Sequence, residues 1–315
     1  MLVNKGEIMI LTVCPSPCID VNIEVERLSV GKSNKIKNKT TYYTGKAINV
    51  AVGLARLNAD VFITGFMYKE NGNQFEHELH REGVPYSFVW NEGRVRENYK
   101  IIDHRSMLTE VDDVSPEVTA EKQAELVGLV GSLAKDCDGI VICGGLAKGM
   151  TAEFYREVLN AVPSGVIKIA DTEGERLVQA LKCGVNLVKP NLEELERTLN
   201  KTISSKEDMV EACRKILDMG TEYVLLSLGK RGAVITDGAK FFHCMSVNVA
   251  KNSTVGAGDA MLAAASSALI RGGSMQEVLR CGVAAGTAAV TSPDSISFIK
   301  EKYEEILSAL TVKEI

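Results

Sequence analysis

A chain of 315 residues with 45% hydrophobic and 24% charged side chains can bury a large core, as one big α/β domain or two smaller ones. Its 36 basic against 41 acidic residues leave a net charge of −5, so nothing global argues for a nucleic-acid partner. No apolar stretch reaches the roughly 18 residues of a membrane span, and the short N-terminal apolar run behind Glu7 does not read as a signal peptide, so a cytoplasmic, membrane-free protein is expected.

The chain opens on a continuous apolar run at 8–13, which predicts a buried strand, and Met9 is an alternative start to Met1. Alternation at 21–25 and the β-formers of 39–44 predict half-exposed strands, with four lysines of the 32–39 segment read as a solvated face. From Gly45, GKAINVAVGLARL has helical spacing; the strand VFITGF and a polar-faced helix at 71–81 follow. Short alternating runs at 86–90 and 98–103 come next. From about residue 116 apolar strands (GIVIC, VIKIA, VNLVKP, YVLLSL) alternate with helices at 116–135, 151–161, 174–181, 191–199 and 206–219. That rhythm predicts a mostly parallel sheet covered on both faces. AVITD and KFFHC form a small antiparallel excursion, and helices starting at Ala257, Ser274 and Ile299 close the chain. One α/β domain is expected over 1–315, with segments at about 17–44 and 86–112 forming a small β-sheet lid.

The run STVGAGDA at 253–260 carries the most chemistry. Gly256 and Gly258 let the backbone approach a ligand, and the apolar run behind them predicts a buried helix whose N-terminus attracts anions. Asp259 places a carboxylate in that first turn, and an anion hole beside a base is what phosphoryl transfer to a hydroxyl needs. An ordinary loop with a helix-favoured acid reads the same residues equally well, so the neighbouring motifs must decide. Other motifs fail: Gly31-Lys32-Ser33 lacks the P-loop's leading glycine at Glu26, and Met261 replaces the third glycine of a dinucleotide fingerprint. His77 and His80 read as a surface pair, and the eight cysteines, with no CxxC, as reduced thiols rather than a zinc site.

Taken together, STVGAGDA, GKAIN at 45–49, KPNLEE at 189–194 and SLGKRGA at 227–233 resemble the ribokinase-like sugar kinases of the pfkB family. Within it, the chain is most similar to the 1-phosphofructokinase and tagatose-6-phosphate kinase branch. The resemblance implies a ribokinase-like fold, ATP and Mg²⁺, and a sugar-phosphate acceptor. It makes Asp259 the catalytic base and Gly256, Ala257 and Gly258 the anion hole. Lys189, Asn191, Ser227, Gly229, Gly232 and Thr254 would bind ATP, and Asn191 with Glu194 (NxxE) would hold Mg²⁺ through waters; an N-cap with an acidic first turn explains those two as well. Asp20, Gly45, Lys46, Asn49, Arg96 and Asn98 would bind the substrate, Arg96 clamping the phosphate it already carries. The chain departs from the family pattern at Ser16 and Cys18 in SPCID, at Thr44 and Ala47, and in ICGGLAKGM, where the branch is serine-rich. The implied reaction is phosphorylation of fructose 1-phosphate first and tagatose 6-phosphate second. The alternatives are an unphosphorylated sugar or nucleoside, or a sugar-phosphate-binding protein without catalysis. A homodimer through lid edges is expected, because an exposed small sheet leaves strand edges unpaired.

Overall fold

Apolar runs that alternate with amphipathic helices have only one way to hide both of their faces, and the chain takes it. The computed structural model describes residues 8–105, 107–250, 252–292 and 297–315. From the N-terminus the elements are β1 (Met9–Cys14), β2 (Cys18–Val25), β3 (Ile36–Thr44), α1 (Lys46–Arg56), β4 (Asp60–Tyr68), α2 (Asn73–Arg81) and β5 (Tyr86–Asn91). Then come β6 (Glu97–Ile102), β7 (Leu108–Asp112), α3 (Ala120–Leu133), β8 (Gly139–Cys143), α4 (Glu153–Ala161), β9 (Ile167–Asp171) and α5 (Glu175–Leu181). They are followed by β10 (Val185–Val188), α6 (Leu192–Leu199), α7 (Lys206–Asp218), β11 (Thr221–Ser227), β12 (Ala233–Thr236) and β13 (Phe241–Cys244). The chain closes with α8 (Ala257–Ile270), α9 (Met275–Thr291), α10 (Lys300–Ala309) and β14 (Val312–Glu314).

Ten strands make one sheet in the order β14-β13-β12-β11-β10-β9-β8-β1-β4-β5. It is parallel from β11 to β5 and antiparallel from β11 to β14. Successive residues of a strand serve opposite layers. Val141 joins the core beneath α1, α8 and α9, whereas its neighbours Ile140 and Ile142 pack with α3, α4, α5 and α7. Strands so covered must be apolar throughout, which is why the sequence shows runs there rather than alternation.

The small sheet has the order β3-β2-β6-β7, with β2 and β6 parallel and both outer pairs antiparallel. One expectation needs correction. Residues 86–91 do not belong to this sheet: β5 pairs in parallel with β4 and forms the edge of the large one. An edge strand half covered by neighbours alternates just as a strand of a small sheet does, so periodicity could not separate them. The second segment of the small sheet therefore begins near residue 97.

Helix α8 lies almost wholly buried between α1 and α9. Small residues make that possible: a Cβ on Gly53 would stand 2.8 Å from the Ala263 Cβ, and one on Gly286 would stand 3.1 Å from the Ala257 carbonyl oxygen. Close packing on both sides fixes the position of the α8 N-terminus, which opens at the strand ends where ligands collect in such folds.

Candidate active site

Gly256 caps α8 with φ of 79°, a left-handed conformation that glycine adopts without strain. The first-turn amides behind it have no intrahelical acceptor. Asp259 sits in that turn, 8% exposed, and Asn49 of α1 donates to its Oδ2 at 2.7 Å. Lys46, one turn earlier on the same helix, sends its Nζ between Asp171 Oδ1 and Glu194 Oε1, 3.5 Å from each. Asp171 Oδ2 lies 3.4 Å from Lys189 Nζ, which stands 3.4 Å from where a Cβ on Gly258 would be. Two ammonium groups and the helix N-terminus thus converge on one point, with Asp259 beside them.

Charges this close reset one another. Burial pushes the Asp259 carboxyl up to about 6, and the negative Asp171 adds to the rise; Lys46, the Asn49 hydrogen bond and Lys189 oppose it. Burial also pushes on Asp171, but Lys189 and Lys46 together outweigh it and hold its carboxyl below the ordinary value. Asp171, in turn, is the main reason the Lys46 ammonium stays firmly charged. Cys143, opposite Asp171 in the sheet, is held as a neutral thiol by burial, and burial likewise pushes Cys14 and Cys18 up to about 12. None of these three is a nucleophile near neutral pH.

These groups open into a cleft of about 910 Å³ that is also lined by Asn191, Ser227, Gly229, Gly232 and Thr254. Ser227 ends β11 and is tied back by its N–H to the Pro190 carbonyl at 3.0 Å. Gly229 and Gly232, at φ of 58° and 79°, shape the turn into β12. Asn191 and Glu194 form a reciprocal capping box at the start of α6: Asn191 Oδ1 accepts from the Glu194 amide at 2.8 Å, and Glu194 Oε2 accepts from the Asn191 amide at 2.9 Å. Only Oε1 of Glu194 remains for the cleft, where it faces Lys46. Among the described residues no three His, Cys, Asp or Glu side chains are grouped to hold a metal. This donor set fits a cation that keeps most of its waters and takes phosphate oxygens, as Mg²⁺ prefers.

Sequence reasoning missed Asp171 and the apolar wall of the cleft, as well as Lys230, Ser246, Asn248, Gly286 and Thr287 in its lining. Asp171 was passed over as the end of an apolar strand; its only signal is a carboxylate closing IKIAD at a C-terminal strand end. The apolar wall of Met261, Val247, Val249, Val283 and Val290 carries no signal at all, because each reads as ordinary core.

Asp20, Arg96 and Asn98 stand outside this lining, on and beside the small sheet. Asp20 Oδ2 accepts from Thr44 Oγ1 at 3.0 Å and pairs with Lys100 Nζ at 3.1 Å, and Cys18 Sγ donates to Oδ1 at 3.5 Å. Thr44 and Cys18, two of the departures from the family pattern, therefore both serve Asp20. Arg96 donates from Nη1 to Asn98 Oδ1 at 3.3 Å, while its buried Nε has no partner. The two regions are continuous through Gly45, which caps α1 directly after Thr44 and leads into Lys46 and Asn49.

A sequence model described as pfkB family carbohydrate kinase matches residues 11–302. A tagatose-6-phosphate kinase of Staphylococcus epidermidis is 25% identical over 311 residues, covering 98% of this chain and 100% of that protein. A 1-phosphofructokinase of Rhodobacter capsulatus is 30% identical over 286 residues, covering 89% and 90%. The structure is similar to that of Escherichia coli phosphofructokinase-2 in complex with substrates and products, with a TM-score of 0.88, 26% identity and coverage of 96% and 99%. With nearly its whole length matched in sequence and in fold, the chain belongs to the pfkB family of carbohydrate kinases, enzymes that transfer phosphate to sugars.

Proposed function

We propose that this kinase transfers the terminal phosphoryl group of ATP to a free hydroxyl of a ketohexose phosphate, fructose 1-phosphate first and tagatose 6-phosphate second. The observation that carries the reading is Asp259: a buried carboxylate, oriented through Oδ2 by Asn49, with the α8 N-terminus and two ammonium groups beside it. ATP occupies the cleft with its base against the valine wall and its phosphates toward Lys189 and the Gly256, Ala257 and Gly258 turn. Asp259 Oδ1 takes the proton of the acceptor hydroxyl. The freed oxygen bonds to phosphorus as the bond to the ADP oxygen breaks. Negative charge on the passing phosphoryl meets the first-turn amides and the Lys46 and Lys189 ammoniums. A carboxyl raised to about 6 is still ionised at neutral pH yet more basic than an ordinary aspartate, which suits a general base. Mg²⁺, held by Asn191 and Glu194 through waters, would supply further charge neutralisation at the phosphates.

The small sheet serves as the lid, built from about 17–44 and 97–112 of a single kinase domain. A phosphorylated acceptor is supported by Arg96, whose buried Nε awaits a partner, and by the two relatives named for phosphorylated ketoses. The lid also leaves Met107, Leu108, Val111 and Val114 exposed near an unpaired edge strand, which suits a homodimer formed through this sheet. A monomeric mass by light scattering would remove that part of the reading.

The test of the substrate is ADP release from MgATP with fructose 1-phosphate, tagatose 6-phosphate, fructose 6-phosphate and free fructose. Turnover on one phosphorylated ketose, well above free fructose, is expected. Preference for the unphosphorylated sugar would overturn the assignment, and ATP binding without turnover on any of the four would argue for a non-catalytic sensor.

A further inference from the structure

The register of the small sheet places a second cation where the sequence motifs drew no attention. Asp20 pairs with Asn98 and Asn22 with Lys100, so side-chain alternation puts Asp20, Asn22, Asn98 and Lys100 on one face. The opposite face, with Ile19, Val21, Tyr43 and Tyr99, packs on the core. Arg96, immediately before β6, joins the polar face through its bond to Asn98. Lys100 Nζ reaches diagonally to Asp20 Oδ2, 3.1 Å away, rather than straight across to Glu110. Glu24, Glu110 and Asp112 on the flanking strands are exposed, and among the described residues none of them pairs with Lys100 or Arg96. Lys100 is therefore paired with Asp20, while Arg96, bonded to Asn98 on the same face, carries a buried nitrogen without a partner.

We propose that Lys100 is a specificity-determining residue which, with Arg96, makes the lid select a phosphorylated over an uncharged sugar. Sugar hydroxyls must donate to Asp20 in competition with Lys100. A phosphorylated sugar brings its own anion for the displaced ammonium, so one ion pair is exchanged for another while Asp20 gains the hydroxyls. An uncharged sugar strips Lys100 from Asp20 and leaves it facing Arg96 with no counter-charge, and an unpaired charge away from water opposes binding. The discrimination therefore comes as much from rejecting the neutral ligand as from attracting the charged one. This inference rests on the ketohexose-phosphate reading above.

The experiment compares kcat/KM for fructose 1-phosphate, tagatose 6-phosphate and free fructose in wild type, Lys100→Met, Lys100→Gln and Lys100→Arg. The ratio of phosphorylated to free sugar within each preparation cancels differences in the folded fraction. Losing a charge-assisted contact of this kind corresponds to a fall of roughly 10- to 100-fold in that ratio for both neutral variants. The KM for MgATP should not change, and Lys100→Arg should keep most of the preference. A wild-type preference that survives Lys100→Met and Lys100→Gln, or a loss equal on both kinds of sugar, would overturn the role of Lys100 and leave the substrate assignment standing. No wild-type preference for phosphorylated sugar would overturn the substrate assignment and this inference with it.

Discussion

Replacing Asp259 by Asn keeps its shape and removes its charge, which separates function from stability in one variant. The folded carboxyl is held at about 6 against an ordinary 3.8, and at about 1.36 kcal/mol for each tenfold change in the protonation equilibrium the ionised form costs the fold at most about 3 kcal/mol. The loss of a partner charge for Lys46 and Lys189 offsets part of this, so about 1–2 kcal/mol is the expected gain from Asp259→Asn. The sign follows from the direction of the shift. A raised carboxyl pKa favours the protonated fold, so its stabilisation is complete below 3.8 and is lost as the pH climbs through about 6. The Asn variant and the wild type should therefore melt alike near pH 4, whereas at pH 8 the variant should melt about 2–6 °C higher. At the same time kcat for ADP release should fall about 10²- to 10⁴-fold, the usual worth of a general base. The wild-type kcat/KM should decline as the pH is lowered through about 6. Differential scanning calorimetry across that pH range and a coupled ADP assay check both halves. A variant that is less stable than wild type at pH 8, or that keeps wild-type turnover, would refute the account of a strained, buried base.

Three further substitutions, one of them a comparison, test how the cleft is built. Gly232→Ala drives a Cβ to 1.9 Å from the Cys244 carbonyl oxygen at a φ of 79°, so a loss of more than about 3 kcal/mol is expected in thermal melts. Gly83→Ala, at a φ of 69° but with open space around it, should cost only about 1 kcal/mol and serves as the comparison. Asn191→Ala removes the N-cap of α6 and the side-chain half of its capping box, which predicts a loss of about 1 kcal/mol together with a raised KM for MgATP, because the first turn of α6, and Glu194 with it, loses an anchor while the Glu194 carboxylate keeps its bond to the amide of residue 191. Unchanged melting of Asn191→Ala would show that the box contributes nothing to α6.

Much of the fold was legible because burial on both faces leaves a local trace. GIVIC and YVLLSL are apolar throughout for that reason, and each became a strand of the large sheet. The turn at Gly256 was legible too, since glycine, acid and a long small-residue run are neighbours in sequence and remain neighbours in the structure. The same holds for Asn191 and Glu194, three residues apart and bonded to each other. The allocation of residues 86–91 failed because alternation reports how much of a strand is covered, not which sheet covers it.

The chain's own sequence thus determined most of the elements, the glycine turn at Gly256 and its acid, since these depend on groups within a few residues of each other. Only the tertiary structure decided that Asp171 stands between Lys46 and Lys189, that Asn49 orients Asp259, and that Lys100 shares Asp20 with Thr44. Those partners arrive from distant segments, and which of them meet is set by strand order, register and the crossing of α1 over α8. Electrostatic coupling depends on the distance between charges in space, so it answers to spatial neighbours and is silent in the order of the residues.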